Sequence, residues 1–283
     1  MIGGGKWSIG ERLTIALVQS LQGEIPAELA GHVGNVVVDE AHHCPADTFS
    51  GVVGQLPARY LLGLSATPYR RDGLDAVISY FLGPVVAAMD ERALADRLVK
   101  PHIIKRETGI SVHGGGFTEL VSRLTTDSDR NGLIIGDVAQ AVAEGRRCLA
   151  LSDRVEHVEL LAALLQAEGL TAAALHGQQG KRERTWVVTA AGAGDLDVVV
   201  ATCSLVGEGF DCPSLSALFL ATPVSYAGRI VQYIGRVSRT APGKSDAVVY
   251  DYCDNHRMLW ASWRKRAQVY GAQRLSRSTV GPD

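Results

Sequence analysis

Two carboxylates, Asp39 and Glu40, stand side by side directly after the apolar run Val36-Val37-Val38, and Ala41-His42 follows them. Hydrolysis of a phosphoanhydride needs a divalent cation to neutralise charge on the β and γ oxygens and a group to orient the attacking water. Adjacent carboxylates can divide those jobs. On that reading Asp39 holds Mg²⁺, through water, and Glu40 acts on the nucleophile. Taken alone, the pair fits better as the cap of a following helix; its company overturns that preference. Ser65 and Thr67 end a second apolar run, Leu62-Gly63-Leu64, and can bond to the acidic turn and relay its state. Alone they would merely cap and turn the chain. A third cluster is Gln232 to Arg239, in which Arg236 and Arg239 lie three residues apart. That spacing predicts one helix face, with Gly235 leaving room for close approach. Arginines entering from a second domain stabilise transition-state charge, whereas isolated pairs of this kind also serve as surface ion pairs.

These residues need strand ends to deliver them. Short apolar runs recur at Leu13 to Val18, Val36 to Val38, Tyr60 to Leu64, Cys148 to Leu151, Ala172 to Leu175, Val198 to Ala201, Leu218 to Ala221 and Ala247 to Tyr250. Runs this continuous read as parallel strands buried on both faces, with helices between them. After Leu151, Ser152 or Asp153 can cap a helix with a stripe of Val158, Leu161, Leu164 and Leu165, ended by Gly169. In open parallel sheets ligands bind outside the strands' C-terminal ends, the edge where Asp39 and Glu40 fall. The charged stretch from Asp90 to Glu107 marks a boundary near residue 98, giving domains 1–98 and 99–283. Pro101 to Arg106 is expected as an edge strand of the second. The second domain has about five core strands and the first about three, an imbalance visible in the runs themselves.

The length of 283 residues suits two globular units, and 46% hydrophobic with 20% charged residues places the chain among folded globular proteins. A net charge of -2 gives no global reason to bind polyanions, so any such surface is local. One candidate is the run from Arg257, where Arg264, Lys265, Arg266, Arg274 and Arg277 alternate with Trp260, Trp263 and Tyr270; a solvated helix face explains it as well. The five cysteines form no C-x-x-C pair, which argues against a zinc site or a disulfide framework and for reduced thiols. No charged-then-apolar leader and no apolar stretch of about 18 residues or more occurs, so a cytoplasmic location and no membrane partner are expected.

Together the clusters make the chain resemble the DEAD/DEAH-box helicases of superfamily 2, closest to the restriction-subunit-like and excision-repair-like DNA helicases. Asp39 to His42 resemble the family's second motif, Ser65 to Thr67 its third, Cys148 to Ser152 its fourth, and Gln232 to Arg239 its sixth. Val198 to Asp211, with Thr202, Gly207, Gly209 and Asp211, resembles the fifth, and Leu13 to Ala16 with Gln19-Ser20 a strand-contacting motif. The resemblance implies two RecA-like lobes, ATP and Mg²⁺ between them, and single-stranded or duplex nucleic acid, DNA by family flavour, across both. It further implies that His42 couples the acidic turn to Ser65 and Thr67, that Gly209, Asp211, Arg236 and Arg239 meet the nucleotide, and that Thr14, Gln19 and Thr202 touch the phosphate backbone. Such contacts are blind to sequence, as a translocating enzyme requires. His176-Gly177 is a weaker candidate for the same surface.

A phosphate loop, G-x-x-x-x-G-K-[ST] between strand and helix, is not found in the sequence. Gly3-Gly4-Gly5-Lys6 runs into Trp7, and Gly243-Lys244-Ser245 has Ser238 where the first glycine belongs; both read as decoys. The expectation is a first lobe truncated at its N-terminal side, weak ATP binding and little hydrolysis by this chain alone, exposed apolar surface, and a missing N-terminal fragment or partner subunit. The competing reading is a non-catalytic nucleic-acid-binding or assembly module on the same scaffold. A nuclease is disfavoured, because no further carboxylate cluster for a second metal stands out.

Overall fold

A computed structural model describes residues 1–41, 51–65, 75–88, 98–111, 114–207, 210–224, 227–272 and 277–278. The chain divides into two compact units, Met1–Met89 and Asp90–Asp283. Of the residues singled out from sequence, His42, Thr67, Gly209 and Arg274 lie outside the described residues.

In the first unit, β1 (Ile2–Gly3) and β2 (Lys6–Trp7) form an antiparallel hairpin. The short helix α1 (Ala27–Ala30) leads into β3 (Asn35–Val38), which pairs in parallel with β4 (Tyr60–Gly63), Val38 opposite Gly63. Helix α2 (Asp75–Leu82) follows. The run Leu13 to Val18 does not form the expected strand. It makes one parallel bridge, Ala16 to Ile2, and then turns into a 3₁₀ helix over Val18–Leu21, with Ile2 bonded on both sides to Ile15 O and Leu17 N. The expectation of strands covered on both faces also fails here. Val37, Tyr60 and Leu62 are 58%, 60% and 44% exposed, because β3 and β4 alternate between a half-buried and an open face. Parallel strands ordinarily lie under helices on both sides.

The second unit is a three-layer α/β domain. Strand β5 (Pro101–Ser111) precedes α3 (Phe117–Thr126) and α4 (Ser128–Ala143). Then β6 (Arg147–Ser152), α5 (Val155–Ala167), β7 (Ala172–Leu175), α6 (Lys181–Ala193) and β8 (Val198–Thr202) alternate. The chain continues through α7 (Cys203–Gly207), β9 (Leu215–Leu220), α8 (Ala227–Val237), β10 (Ala247–Asn255), α9 (Arg257–Ala272) and β11 (Arg277–Ser278). The sheet order is β11-β5-β10-β9-β6-β8-β7 and every pairing is parallel. Strand β5 runs five residues past the expected Arg106 and takes β11 on its outer side.

The apolar runs form this sheet because both of their faces find helices. Cys148, Ala150, Val198, Val200 and Phe219 pack with Ile134, Val138 and Leu161 of α4 and α5. The alternate residues Leu149, Leu151, Val199 and Leu218 pack with Val187, Ile230 and Tyr233 of α6 and α8. Helix α5 begins after Arg154, without a side-chain bond at the expected Ser152 or Asp153 cap position, although Ser152 Oγ accepts from Arg154 N at 3.2 Å. Gly169, at φ 83°, turns the chain toward β7 as its position implied.

Candidate functional site

Each strand end contributes a different chemistry. In the first unit, Leu64 N donates to Val38 O at 2.8 Å and Ala41 N donates to Leu64 O at 2.9 Å, so the acidic turn after β3 is tied to the end of β4. Asp39 is exposed, and its Oδ1 accepts from Glu40 N at 2.9 Å. Glu40 has φ 47°, making it the one non-glycine in the left-handed region among the described residues. A side chain bears that conformation at a cost of about 1–3 kcal/mol, and such residues cluster where a turn must present a group. Gly63 permits the arrangement: a Cβ there would sit 2.5 Å from Leu82 Cδ1 and 3.3 Å from Ala41 Cβ. Ser65 lies two residues past β4 on the same edge, as its place after the apolar run implied.

Hard carboxylate oxygens at an exposed strand end fit Mg²⁺, which keeps several waters and needs only one or two protein carboxylates beside phosphate oxygens. No group of three or more His, Cys, Asp or Glu side chains that could hold a metal ion occurs among the described residues. The phosphates find no comparable fit. Gly3, Gly4 and Gly5, all at positive φ, make the turn of the β1–β2 hairpin, and Lys6 is exposed in β2 with no helix after it. Lys244 Nζ donates to Pro213 O at 3.1 Å and to Leu215 O, which stitches two loops together. Neither lysine stands between a strand and a helix as a phosphate loop requires.

Thr14 Oγ1 accepts from Gly10 N at 3.0 Å, and Gln19 is exposed in the 3₁₀ turn, so these two predicted contacts sit in the first unit close to the hairpin.

In the second unit, Gln232 and Arg236 lie one turn apart on α8 and are half-buried, while Tyr233 faces inward and donates to Cys203 O at 2.9 Å. Arg239 is not on that helix face. The helix ends at Val237, and Ser238 O accepts from Val99 N at 2.7 Å, which draws Arg239 into an antiparallel bridge with Leu98. From this extended segment Arg239 reaches back and forms an ion pair with Asp211, which joins two of the predicted nucleotide-side residues. A three-residue spacing says nothing once the helix has stopped.

Thr202 ends β8, opposite Ser152 of β6, and His176 follows Leu175, which pairs with Ala201. Three polar side chains thus share one C-terminal sheet edge. Thr202 Oγ1 and His176 Nδ1 are buried and have no hydrogen-bond partner among the described residues; His176 Nε2 lies 3.3 Å from Glu159 Oε1. Arg154, one turn beyond β6, also has a buried Nε without such a partner. Sequence reasoning passed over Arg154; its signal was a cation directly after an apolar run, at the same edge. Buried donors and acceptors without partners are uncommon and point to a ligand or water not otherwise represented.

Comparison with known proteins sets the chain beside helicases. The family described as "Helicase conserved C-terminal domain" matches residues 133–241, and "Type III restriction enzyme, res subunit" matches residues 4–70. "Probable helicase D10" of Escherichia phage T5 is 28% identical over 254 residues, covering 89% of this chain and 55% of the phage protein. The crystal structure of T4 UvsW superposes with a TM-score of 0.54 at 18% identity, over 93% of this chain and 56% of that one. S. cerevisiae Dbp5 bound to RNA and ADP BeF3 gives 0.62 at 13% identity, over 88% and 60%. The structural likeness establishes the fold as RecA-like. The chain spans about half the length of the curated relatives it matches.

Proposed function

We propose, from the premise that this chain belongs to the superfamily 2 helicases of restriction-subunit-like type, that it carries the metal and arginine parts of an ATP-driven motor acting on nucleic acid, with DNA as the track. The observation that carries the reading is the acidic turn, in which Asp39 and a conformationally constrained Glu40 are held at the C-terminal edge of β3 by hydrogen bonds to the end of β4. Mg²⁺, when bound, neutralises charge on the phosphate oxygens. Asp39 would hold it. Glu40 orients and deprotonates water, and Ser65 and Thr67 pass the state of that turn along the edge, with His42 as the coupling residue. Arg236 and Arg239 stabilise charge from the second unit, with Asp211 holding Arg239 in place and Gly209 and Gln232 beside them.

Thr14 and Gln19 on one unit, and Thr202 on the other, contact the phosphate backbone. His176 and Arg154, at the same edge as Thr202, add an imidazole and a guanidinium to that surface. Such contacts read charge and backbone shape, not base sequence.

The 283 residues contain no phosphate loop, so on their own they hydrolyse ATP little. Nucleic-acid-stimulated hydrolysis should emerge when a polypeptide carrying that loop is supplied, and should vanish with Glu40→Gln. Vigorous hydrolysis by the 283-residue chain alone, or hydrolysis indifferent to Glu40→Gln, defeats the reading. The second reading, a non-catalytic nucleic-acid-binding module, is favoured by the engagement of Lys244 with Pro213 O and Leu215 O, and it prevails if single-stranded DNA binds tightly and no added loop restores turnover.

A further inference from the structure

We infer that Arg130 and Arg266 are positioning residues which, each through its own buried carboxylate, fix the segment that leads from β9 into the arginine-bearing helix α8. The inference deepens the proposed function and rests on it for the role of α8.

The geometry is specific. Between β9 and α8 run six residues, of which Ala221-Thr222-Pro223-Val224 are described and Ser225 and Tyr226 lie outside the described residues. At its start, Arg130 Nη1 donates to Ala221 O at 2.7 Å, while Arg130 Nε and Nη2 donate to Asp254 Oδ1 and Oδ2 at 2.8 and 3.3 Å. Three residues on, Arg266 Nη1 donates to Val224 O at 3.1 Å, while Nε and Nη2 donate to Asp251 Oδ2 and Oδ1 at 2.9 and 2.8 Å. Between them, Asp153 N donates to Thr222 Oγ1 at 2.9 Å. Arg130, Asp254, Arg266 and Asp251 are all buried. Thr108 Oγ1 donates to Asp254 and Tyr270 OH to Asp251, which completes the acceptor side of both carboxylates.

Two features separate positioning from plain stability. A buried ion pair is about neutral against apolar residues of the same volume, so two such pairs in one domain call for another explanation. Each guanidinium aims a fork at a carboxylate on β10 and its Nη1 at a main-chain carbonyl of the one segment, Arg266 Nη1 donating also to Ser262 Oγ at 2.9 Å. Those carbonyls leave the sheet where the strand pattern stops, so the sheet itself cannot hold them. A planar fork fixes direction as well as distance, which a lysine does not. The two clamps set the point and angle at which α8 starts, and hence where Gln232 and Arg236 are aimed.

The test is hydrogen–deuterium exchange on the full 283-residue chain, comparing wild type with Arg266→Lys, Arg130→Lys and the double variant Arg266→Met/Asp251→Leu. The double variant removes the buried charges together, so it is expected to keep the wild-type unfolding midpoint. Amides of residues 227–240 should exchange about tenfold faster in all three, with β6 and β8 unchanged. Unchanged exchange at 227–240, or an increase spread evenly over the second unit, overturns the inference. A separate measurement keeps the function distinct: in a reconstituted ATP-hydrolysing assembly, Arg236→Ala and Arg266→Lys should both lower kcat with little change in KM. If Arg236→Ala has no effect while exchange at 227–240 still rises, the functional reading fails and the positioning stands.

Discussion

The two units solve the same problem with unequal means. The second lays seven parallel strands under helices on both faces, so its site residues rest on a core with fully buried Leu149, Leu151, Val198 and Phe219. The first holds its acidic turn on two parallel strands whose outer face shows Val37, Tyr60 and Leu62. Its small core gathers elsewhere, around Ile2, Ile25, Leu29 and Val52. A few hydrogen bonds and one left-handed residue therefore hold the turn in the first unit, while packing holds the arginine helix in the second. A site can be locally constrained on a poorly covered sheet, but it then depends on whatever else covers that sheet.

The largest expected effect tests whether the two halves of the chemistry act together. In an assembly that includes a phosphate loop, Arg236→Ala should lower nucleic-acid-stimulated hydrolysis by about 10³-fold, and Glu40→Gln by a comparable amount. If the groups act as one unit, the double variant is little worse than either single one. Multiplicative losses in a steady-state ATPase assay would mean that the two sites work separately.

Next comes a contrast in stability. Leu149→Ala in the covered sheet should cost about 2–5 kcal/mol, through lost burial and the cavity left behind. Val37→Ala on the open face should stay within about 0.5 kcal/mol. Urea titrations of the full chain, followed by probes specific to each unit, check both. A loss of 2 kcal/mol or more at Val37 would show its face to be covered in solution.

Sequence made the second unit's sheet legible because apolar runs bounded by turns have few other uses, and all five core strands formed where those runs lie. It misled at Leu13 to Val18, where the run had a single partner at Ile2 and so had no ladder to join. The acidic turn was legible from two adjacent carboxylates after an apolar strand. The clamps at Arg130 and Arg266 were not, since their partners stand 124 and 15 residues away and each residue alone looks like an ordinary surface charge. Arg239 was misplaced for a related reason: where α8 ends is decided by Val99, which belongs to a distant segment of the chain.

A third effect belongs to the covered unit only. His157 is buried between Ser152 Oγ, 3.0 Å from Nδ1, and Asn131 Oδ1, 2.9 Å from Nε2. With Asn131 Nδ2 donating to Thr125 O, its Oδ1 must accept, so His157 carries a proton on Nε2. Burial, with the nearby Arg130 charge, pushes its pKa down to about 3. Between the ordinary value near 6.5 and about 3, the unfolded chain binds a proton that the folded chain refuses. Stability from this group is thus complete above 6.5 and should fall by at most about 1.4 kcal/mol per pH unit below it. The slope should appear in probes of the second unit and flatten in His157→Gln; an equal slope in the variant rules His157 out.

The smallest effect separates a phosphate-binding lysine from a structural one. Lys244 gives its ammonium to Pro213 O and Leu215 O, and burial lowers its pKa to about 8. Below pH 8 the folded and unfolded chains are both protonated and the burial penalty is fully present. Between about 8 and 10.5 the folded chain has released a proton that the unfolded chain keeps, so stability should rise with pH across that window. Lys244→Met should remove that rise and cost about 1 kcal/mol at neutral pH, the usual net worth of such hydrogen bonds. Binding of a fluorescent ATP analogue should not change. A large loss of nucleotide affinity in Lys244→Met, with stability intact, would instead make this lysine part of a phosphate site and shift the nucleotide-binding burden from the thin first sheet to the full second one.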